Sequence, residues 1–270
     1  MFRLIISLIN LLKKYYFLII VVLLLSLSAC EARDVSKANI IEGELKVERV
    51  MVSEVPIVMY HYVREVDRST DPLGWNLSIN PVDFEKQLAY LKNEGYLSLK
   101  LQDLLEGEVP EKSIVLSFDD GLEDFYSTAL PLLKEYGFTA TNAIITDMIG
   151  ERGHMTKEQI EECLDAGIEI TSHTVSHPNL TNLSTEDLRS ELLESKNYLI
   201  KEFGISVDSF VYPSGKYDDE VLESLLEVGY LMALTTNYGV ADLSVNLLEL
   251  PRIRVDNRDG FEGFVEKMKL

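Results

Sequence analysis

Ile114-Val115-Leu116-Ser117-Phe118-Asp119-Asp120-Gly121 is the stretch around which the chain is organised. A short apolar run ends in two adjacent acids and a glycine. This is the pattern of a buried strand that delivers two carboxylates to its own end. An Asp-Gly turn then breaks the strand before a helical pattern starts at about Glu123. Neighbouring side chains on an extended strand point to opposite faces, so the two acids are expected to do different work. If one binds a metal, the other is free to act as a base. A strand-to-helix turn capped by Asp gives the same local pattern with no chemistry attached.

About fifty residues on, Ile168-Glu169-Ile170-Thr171-Ser172-His173-Thr174-Val175-Ser176-His177-Pro178 changes the balance. Another short apolar segment ends in two histidines four apart. Fully extended, they would lie roughly 13 Å apart, too far for one ion. In a helical turn or a tight loop they become neighbours, roughly 5–6 Å between Cβ atoms. Pro178 argues against continued regular structure. A compact His-x-x-x-His turn with one carboxylate from Asp119-Asp120 makes a two-His, one-carboxylate site. Three protein ligands with an open position is the catalytic arrangement for zinc and similar ions. The chain has 4 His, and two of them fall here.

The chain has 270 residues, long enough for a sizeable core and a domain of barrel size. Its formal charge of −20 argues against nucleic acid as a partner, because phosphate must be neutralised by Lys and Arg. Residues 1–29 carry Arg3, Lys13 and Lys14, no acid, and a run from Tyr15 to Leu27 that is apolar but for Ser26. This is the pattern of a secretory signal, extended at its front. It ends in Leu27-Ser28-Ala29-Cys30, which resembles the bacterial lipobox and implies cleavage before Cys30 and lipidation of that cysteine. Processing would leave 22 basic against 45 acidic residues, a charge near −23. Cys163 then has no partner within the chain, so no intramolecular disulfide is expected, and its helical pattern makes it a small core residue. Residues 30–53 are polar and charged and form an expected tether, within which Glu42 to Val52 alternates enough for an edge strand. The expectation is an exported protein, lipid-anchored in the cell envelope, with its monomeric domain 54–270 outside the cytoplasm.

That domain opens with Val55-Pro56-Ile57-Val58-Met59-Tyr60-His61-Tyr62, a strand ending in His61. Residues 63–79 read as a long polar loop, a length that is often functional. Its Trp75 suits either a platform for a sugar ring or an anchor for the loop. Asn80-Pro81 opens a helix whose apolar face holds Phe84, Leu88 and Leu91. Further strands are expected at 96–99, 114–118, 138–145, 168–171, 208–212, 230–235 and 250–255. Helices are expected at 101–106, 123–136, 156–166, 185–203 and 218–228. Thr156-Lys157-Glu158-Gln159 is a capping-box signature. His154, after Gly150 and Gly153, is expected at the surface with no role. Alternating strands and helices argue for parallel βαβ units, and about seven strands in roughly 215 residues suit a barrel. His61, Asp119, Asp120, His173 and Tyr212-Pro213-Ser214-Gly215 then all fall at the C-terminal ends of strands, where (β/α) barrels carry their chemistry.

Over about residues 55–260 the chain resembles the polysaccharide deacetylase family, with the NodB homology domain of carbohydrate esterase family 4. Ser117-Phe118-Asp119-Asp120-Gly121 matches that family's Thr/Ser-Phe-Asp-Asp-Gly motif. His173-Thr174-Val175-Ser176-His177 matches its His-Ser/Thr-x-x-His motif. The resemblance implies a deformed (β/α) barrel, a divalent metal held by Asp120, His173 and His177, and Asp119 as catalytic base. Zinc is the expected ion, with cobalt, nickel or iron as alternatives. Two departures stand out. The family's Arg-x-Pro-Tyr is replaced by Val211-Tyr212-Pro213-Ser214, and no histidine follows His177 to supply the late general acid. Met59-Tyr60-His61 and Tyr212-Pro213-Ser214-Gly215 are instead similar to the subgroup that deacetylates exported poly-N-acetylglucosamine. That resemblance makes His61 the acid. In Glu249-Leu250-Pro251-Arg252-Ile253-Arg254-Val255, Arg252 or Arg254 would replace the missing arginine, the two sharing a strand face.

The implied reaction is hydrolysis of an N-acetyl amide on a glycan. Asp119 would take the proton of the attacking water. A backbone N–H near Ser214 would help hold the oxyanion. His61 would protonate the leaving amine. Alternatives are a deacetylase of peptidoglycan or of O-acetyl esters with the same metal site, and a degenerate barrel that binds envelope glycan without cleaving it.

Overall fold

The computed structural model describes residues 52–105 and 109–269. The expected signal peptide, Cys30 and the proposed strand within Glu42 to Val52 lie, but for Val52, outside the described residues, as does all of the tether before residue 52. No helix among the described residues is long and apolar enough to cross a membrane.

Twelve strands are described: β1 (Glu54–Val55), β2 (Ile57–Tyr60), β3 (Tyr62–Val63), β4 (Ser78–Ile79), β5 (Leu97–Leu99), β6 (Ser113–Phe118), β7 (Thr141–Ile144), β8 (Glu169–Ser172), β9 (Ser209–Val211), β10 (Met232–Tyr238), β11 (Ala241–Asp242) and β12 (Leu250–Arg254). The main sheet runs β2-β12-β10-β9-β8-β7-β6-β5, and β2 also pairs with β6. That pairing, parallel from Ile57↔Val115 to Tyr60↔Phe118, closes a ring of seven parallel strands, with β5 attached outside it on β6. The expected barrel of about seven strands is therefore present.

Strand alternation sorts the core into two clusters. Ile57, Val115, Ala143, Val211, Leu234 and Leu250 meet inside the ring. Val58, Tyr60, Ile114, Leu116, Phe118 and Phe210 face outward and pack with helical residues such as Phe84, Leu88, Phe125 and Leu192. The short helix Leu101–Leu105 adds Leu101 and Leu104 to the inner cluster. The Glu169 carboxylate tethers it there, accepting from the Leu101 N–H at 2.6 Å, the Gln102 N–H at 3.2 Å and Thr141 Oγ1 at 2.6 Å.

The helix signals are where the sequence places them. Asn80 caps Pro81–Asn93, Thr156 and Gln159 form the reciprocal capping box of Lys157–Asp165, and Ser184 caps Thr185–Phe203. Two expectations need correction. Residues 63–79 are not loop throughout: β3 pairs in parallel with β4, and Pro72–Trp75 forms a helical turn capped by Asp71. The helix expected over 123–136 begins as a π-helical turn, Phe125–Ala129, before Leu130–Tyr136 becomes α-helical. Pro131 explains this, because its missing N–H and its ring disrupt the regular i→i−4 ladder. The helix Gly260–Lys267 was not expected. Gly260 and Gly263 lower its intrinsic propensity. Burial of Phe264 against Tyr90 and a bond from Gln87 Nε2 to the Gly260 carbonyl stabilise it instead.

Candidate active site

Asp119 follows the last residue of β6, and its N–H donates to the Tyr60 carbonyl of β2 at 3.0 Å. Its side chain continues the inward alternation of Val115 and Ser117. Asp120 then turns away, not by extended alternation but by a left-handed backbone: φ is +76° at Asp120 and +70° at Gly121. A Cβ on Gly121 would sit 2.9 Å from Ile144 Cδ1, so this turn needs glycine. The two acids diverge as the sequence suggests, through a turn that it does not reveal.

The histidines are brought together by a tight loop without helix. His173 follows β8, and positive φ at Thr174 (69°) and His177 (58°) folds the chain back. The His177 N–H donates to Thr174 Oγ1 at 2.8 Å, and the imidazole centroids lie 4.7 Å apart. Three non-glycine residues in left-handed backbone around one cluster is strain of the kind kept where geometry matters. Glu191, on the helix Thr185–Phe203, holds the loop. Its carboxylate accepts from the N–H groups of Val175 and Ser176 at 2.8 and 3.0 Å and from Ser176 Oγ at 2.6 Å.

Asp120 Oδ1 lies 3.4 Å from His173 Nε2 and 3.7 Å from His177 Nε2. One ligand atom from each of the three residues lies within 4.8 Å of the others. The donor chemistry fits a divalent cation. His173 Nδ1 is 2.7 Å from the Val211 carbonyl, which can only accept, so Nδ1 carries a proton and Nε2 is the atom left to ligate an ion. Without an ion, burial opposes the charged imidazolium but Asp120 and Asp119 outweigh it and hold the His173 pKa above the ordinary value. Burial opposes ionisation of Asp120, but His173 outweighs it and keeps the carboxyl below its usual pKa. On His177, burial and then His173 lower the pKa, which favours the neutral, ligating form.

Arg252 and Arg254 part company. Arg252 is buried, and its guanidinium forks onto Asp119, Nη1 to Oδ1 at 2.7 Å and Nη2 to Oδ2 at 2.8 Å. Nη1 also donates to Ser117 Oγ at 3.1 Å and Nε to the Thr235 carbonyl at 2.8 Å. Burial alone would raise the Asp119 pKa, but Arg252 outweighs it and holds the carboxyl ionised, far below the usual range. Arg254 turns to the rim, with Nε 3.4 Å from Asp256 Oδ2 and Nη2 3.3 Å from the Asn76 carbonyl. Of the two arginines on β12, Arg252 is the one that pairs with Asp119.

His61 Nε2 lies 3.9 Å from Asp119 Oδ2. Burial lowers its pKa below the ordinary histidine value, against the pull of Asp119 and Asp120. Tyr212 and Pro213 are buried. The Tyr212 hydroxyl donates to the Leu248 carbonyl at 2.9 Å, and its ring stacks on Tyr217 at 4.7 Å. Ser214 is exposed at φ +54°. A Cβ on Gly215 (φ +65°) would come within 2.0 Å of Thr236 Oγ1. Trp75 is half-buried, with the Arg68 guanidinium over its ring at 4.7 Å. His154 is half-buried and bridges to Leu122 in antiparallel fashion, so it is not simply a surface residue. Cys163 is a free, buried thiol, as expected, and burial pushes its pKa up to about 12.

Glu191 and Asp124 were not singled out from the sequence. Asp124 Oδ2 accepts the Val63 N–H at 3.0 Å, 61 residues away in the chain. No local pattern announces either contact.

Residues 106–233 match the family model for polysaccharide deacetylase. The chain is 33% identical over 225 residues to the Bacillus subtilis (strain 168) protein YxkH, whose name places it among polysaccharide deacetylases; the match covers 80% of this chain and 78% of that protein. It is 28% identical over 210 residues to a poly-beta-1,6-N-acetyl-D-glucosamine N-deacetylase of Staphylococcus aureus (strain MRSA252), covering 71% and 72% of the two chains. Among solved structures it resembles the Streptococcus pyogenes deacetylase PplD in complex with acetate, with a TM-score of 0.76, 34% identity, and coverage of 81% of this chain and 99% of that one. The seven-stranded parallel ring, the acid pair at the end of β6, the histidine loop after β8 and this likeness agree: the chain belongs to the polysaccharide deacetylase family.

Proposed function

We propose that this deacetylase is metal-dependent and removes N-acetyl groups from an exported N-acetylglucosamine polysaccharide, with poly-N-acetylglucosamine the favoured substrate. The observation that carries the reading is that the site holds two kinds of grouping. In the first, Asp120, His173 and His177 present three ligand atoms within 4.8 Å of one another. In the second, Asp119 is held ionised by Arg252 with His61 beside it. A divalent ion, zinc first among the candidates, supplies Lewis acidity and lowers the pKa of water at the site from 15.7 to roughly 7.

The chain's own residues do the rest. Asp119 accepts a proton from the attacking water, and the guanidinium fork keeps its carboxylate oriented for that step. A backbone N–H near Ser214 would help hold the developing oxyanion. His61 delivers a proton to the amine, without which nitrogen is a poor leaving group. Its Nε2 lies 3.9 Å from Asp119 Oδ2, so the proton taken from water has a short route to the nitrogen that hands one on. Residues 1–29 act as a lipoprotein signal and Cys30 as the lipidated residue, which anchors a monomeric domain 54–270 in the cell envelope.

Acetate release by the full chain tests this reading, with poly-N-acetylglucosamine oligomers, peptidoglycan fragments and O-acetylated sugars as parallel substrates. Release from the first group supports the reading. Release confined to either of the others replaces the substrate, and silence on all three with metal bound favours a glycan-binding barrel.

A further inference from the structure

The segment that carries His61 leaves the barrel rim between two hydrogen bonds, and both come from one short stretch of chain. On the barrel side the Asp119 N–H donates to the Tyr60 carbonyl at 3.0 Å. On the far side the Val63 N–H donates to Asp124 Oδ2 at 3.0 Å. His61 and Tyr62 are the residues bracketed between them. The same stretch, 119–124, carries Asp119 and Asp120. It therefore sets base, metal-facing carboxylate and acid in one frame.

The two anchors differ in kind. The first joins main chain to main chain and needs no particular side chain. The second depends wholly on Asp124. The neighbouring N–H groups do not substitute for it: Tyr62 donates to the Leu77 carbonyl and Arg64 to the Ile79 carbonyl, which ties them to the β4 side of the loop. Asp124 is also a costly choice for a mere anchor. Its Oδ1 is buried and has no hydrogen-bond partner among the described residues. Burial pushes its carboxyl up to about 6. An unpartnered buried carboxylate oxygen is unfavourable, so the bond to Val63 is kept at a cost in stability.

We propose that Asp124 is a positioning residue for the reaction, fixing the His61 imidazole at the place from which it delivers a proton to the leaving amine. This rests on the assignment of His61 as acid, made above. Misplacing a catalytic group by about 1 Å can cost on the order of 100-fold in rate, and a general acid contributes about 10²–10⁴-fold.

The test uses the full chain and two substrates that differ in their need for an acid. An N-acetylated oligosaccharide must have its amine protonated, whereas an aryl acetate has a leaving group that departs unaided. Asp124→Ala is expected to lower kcat on the amide by about 10–100-fold. KM and metal content should stay within about twofold and aryl acetate turnover within about threefold. Asp124→Asn, whose amide oxygen can accept the same Val63 N–H, should recover amide turnover to within about threefold. If Asp124→Ala does not fold, Asp124→Glu keeps the charge, displaces the acceptor, and reads out the same selectivity. His61→Ala is measured alongside and should show the same preference for loss on the amide. Should His61→Ala be selective while the Asp124 variants slow both substrates equally, or neither, Asp124 is only structural and the inference falls. Should His61→Ala itself lose both substrates alike, the acid assignment fails, and the inference fails with it.

Discussion

Replacing Arg252 with methionine removes four hydrogen bonds at once: to the Thr235 carbonyl, to Ser117 Oγ and to both oxygens of Asp119. The Arg252 side chain has 0% exposure and that of Asp119 only 4%, so water does not replace the lost partners. Methionine fills much of the same volume, which leaves an orphaned buried carboxylate as the main cost. Removing one partner of a buried ion pair costs about 3–5 kcal/mol. At roughly 2–4 °C per kcal/mol for a domain of this size, Tm should fall by about 6–20 °C. If the orphaned charge is the cause, Asp119→Asn in the same protein should relieve it. The double variant Arg252→Met/Asp119→Asn should return to within about 2 kcal/mol of wild type. Its acetate release should nevertheless stay abolished, because the base is gone. Thermal unfolding and acetate release on the four members of this cycle give the answer. A double variant that melts as low as Arg252→Met, or lower, refutes the orphaned-charge reasoning.

Three further outcomes are expected. The raised pKa of Asp124, about 6 against an ordinary 3.8, means that its favourable contribution is complete below about pH 4 and is lost as pH rises through 6. Wild type should therefore lose up to about 3 kcal/mol relative to Asp124→Asn between pH 4 and 7, and a pH-independent difference in unfolding free energy contradicts this. Gly215→Ala puts a Cβ at φ +65° against Thr236 and should cost about 1–3 kcal/mol; an unchanged melting curve contradicts the stated close approach. Cys163, buried with its pKa pushed up to about 12, should resist a thiol reagent in the native protein and react after unfolding, so rapid labelling of folded protein would contradict its burial.

What the sequence reveals of this protein follows the range of the interactions involved. The acid pair after β6 and the histidine loop after β8 are legible because each is a local pattern of a few residues. Cap signals such as Ser184 and Thr156 are legible for the same reason, and the 3.6-residue and two-residue periods sort the elements into a barrel. The choice between Arg252 and Arg254 is not legible. Both lie on the same face of β12; ring closure alone puts the first against Asp119, far away in the chain, while the second meets Asp256, its near neighbour in sequence. Asp124 and Glu191 look like ordinary solvated acids of helical segments. Their partners, Val63 and Val175-Ser176, come from other parts of the chain. The helix Gly260–Lys267 escapes notice because two glycines weaken its local signal, while its stability comes from packing against the helix Pro81–Asn93.

The central claim is that Asp120, His173 and His177 together hold a divalent ion that the reaction requires. The measurement that tests it most directly is metal content alongside acetate release by the full chain. Both would be followed through chelation and the return of zinc, cobalt, nickel or iron, for wild type and His177→Ala. The account predicts about one ion per wild-type chain, activity lost on chelation and restored by metal, and neither ion nor activity in His177→Ala. Undiminished acetate release after complete removal of metal, or a full complement of ion in His177→Ala, would contradict it.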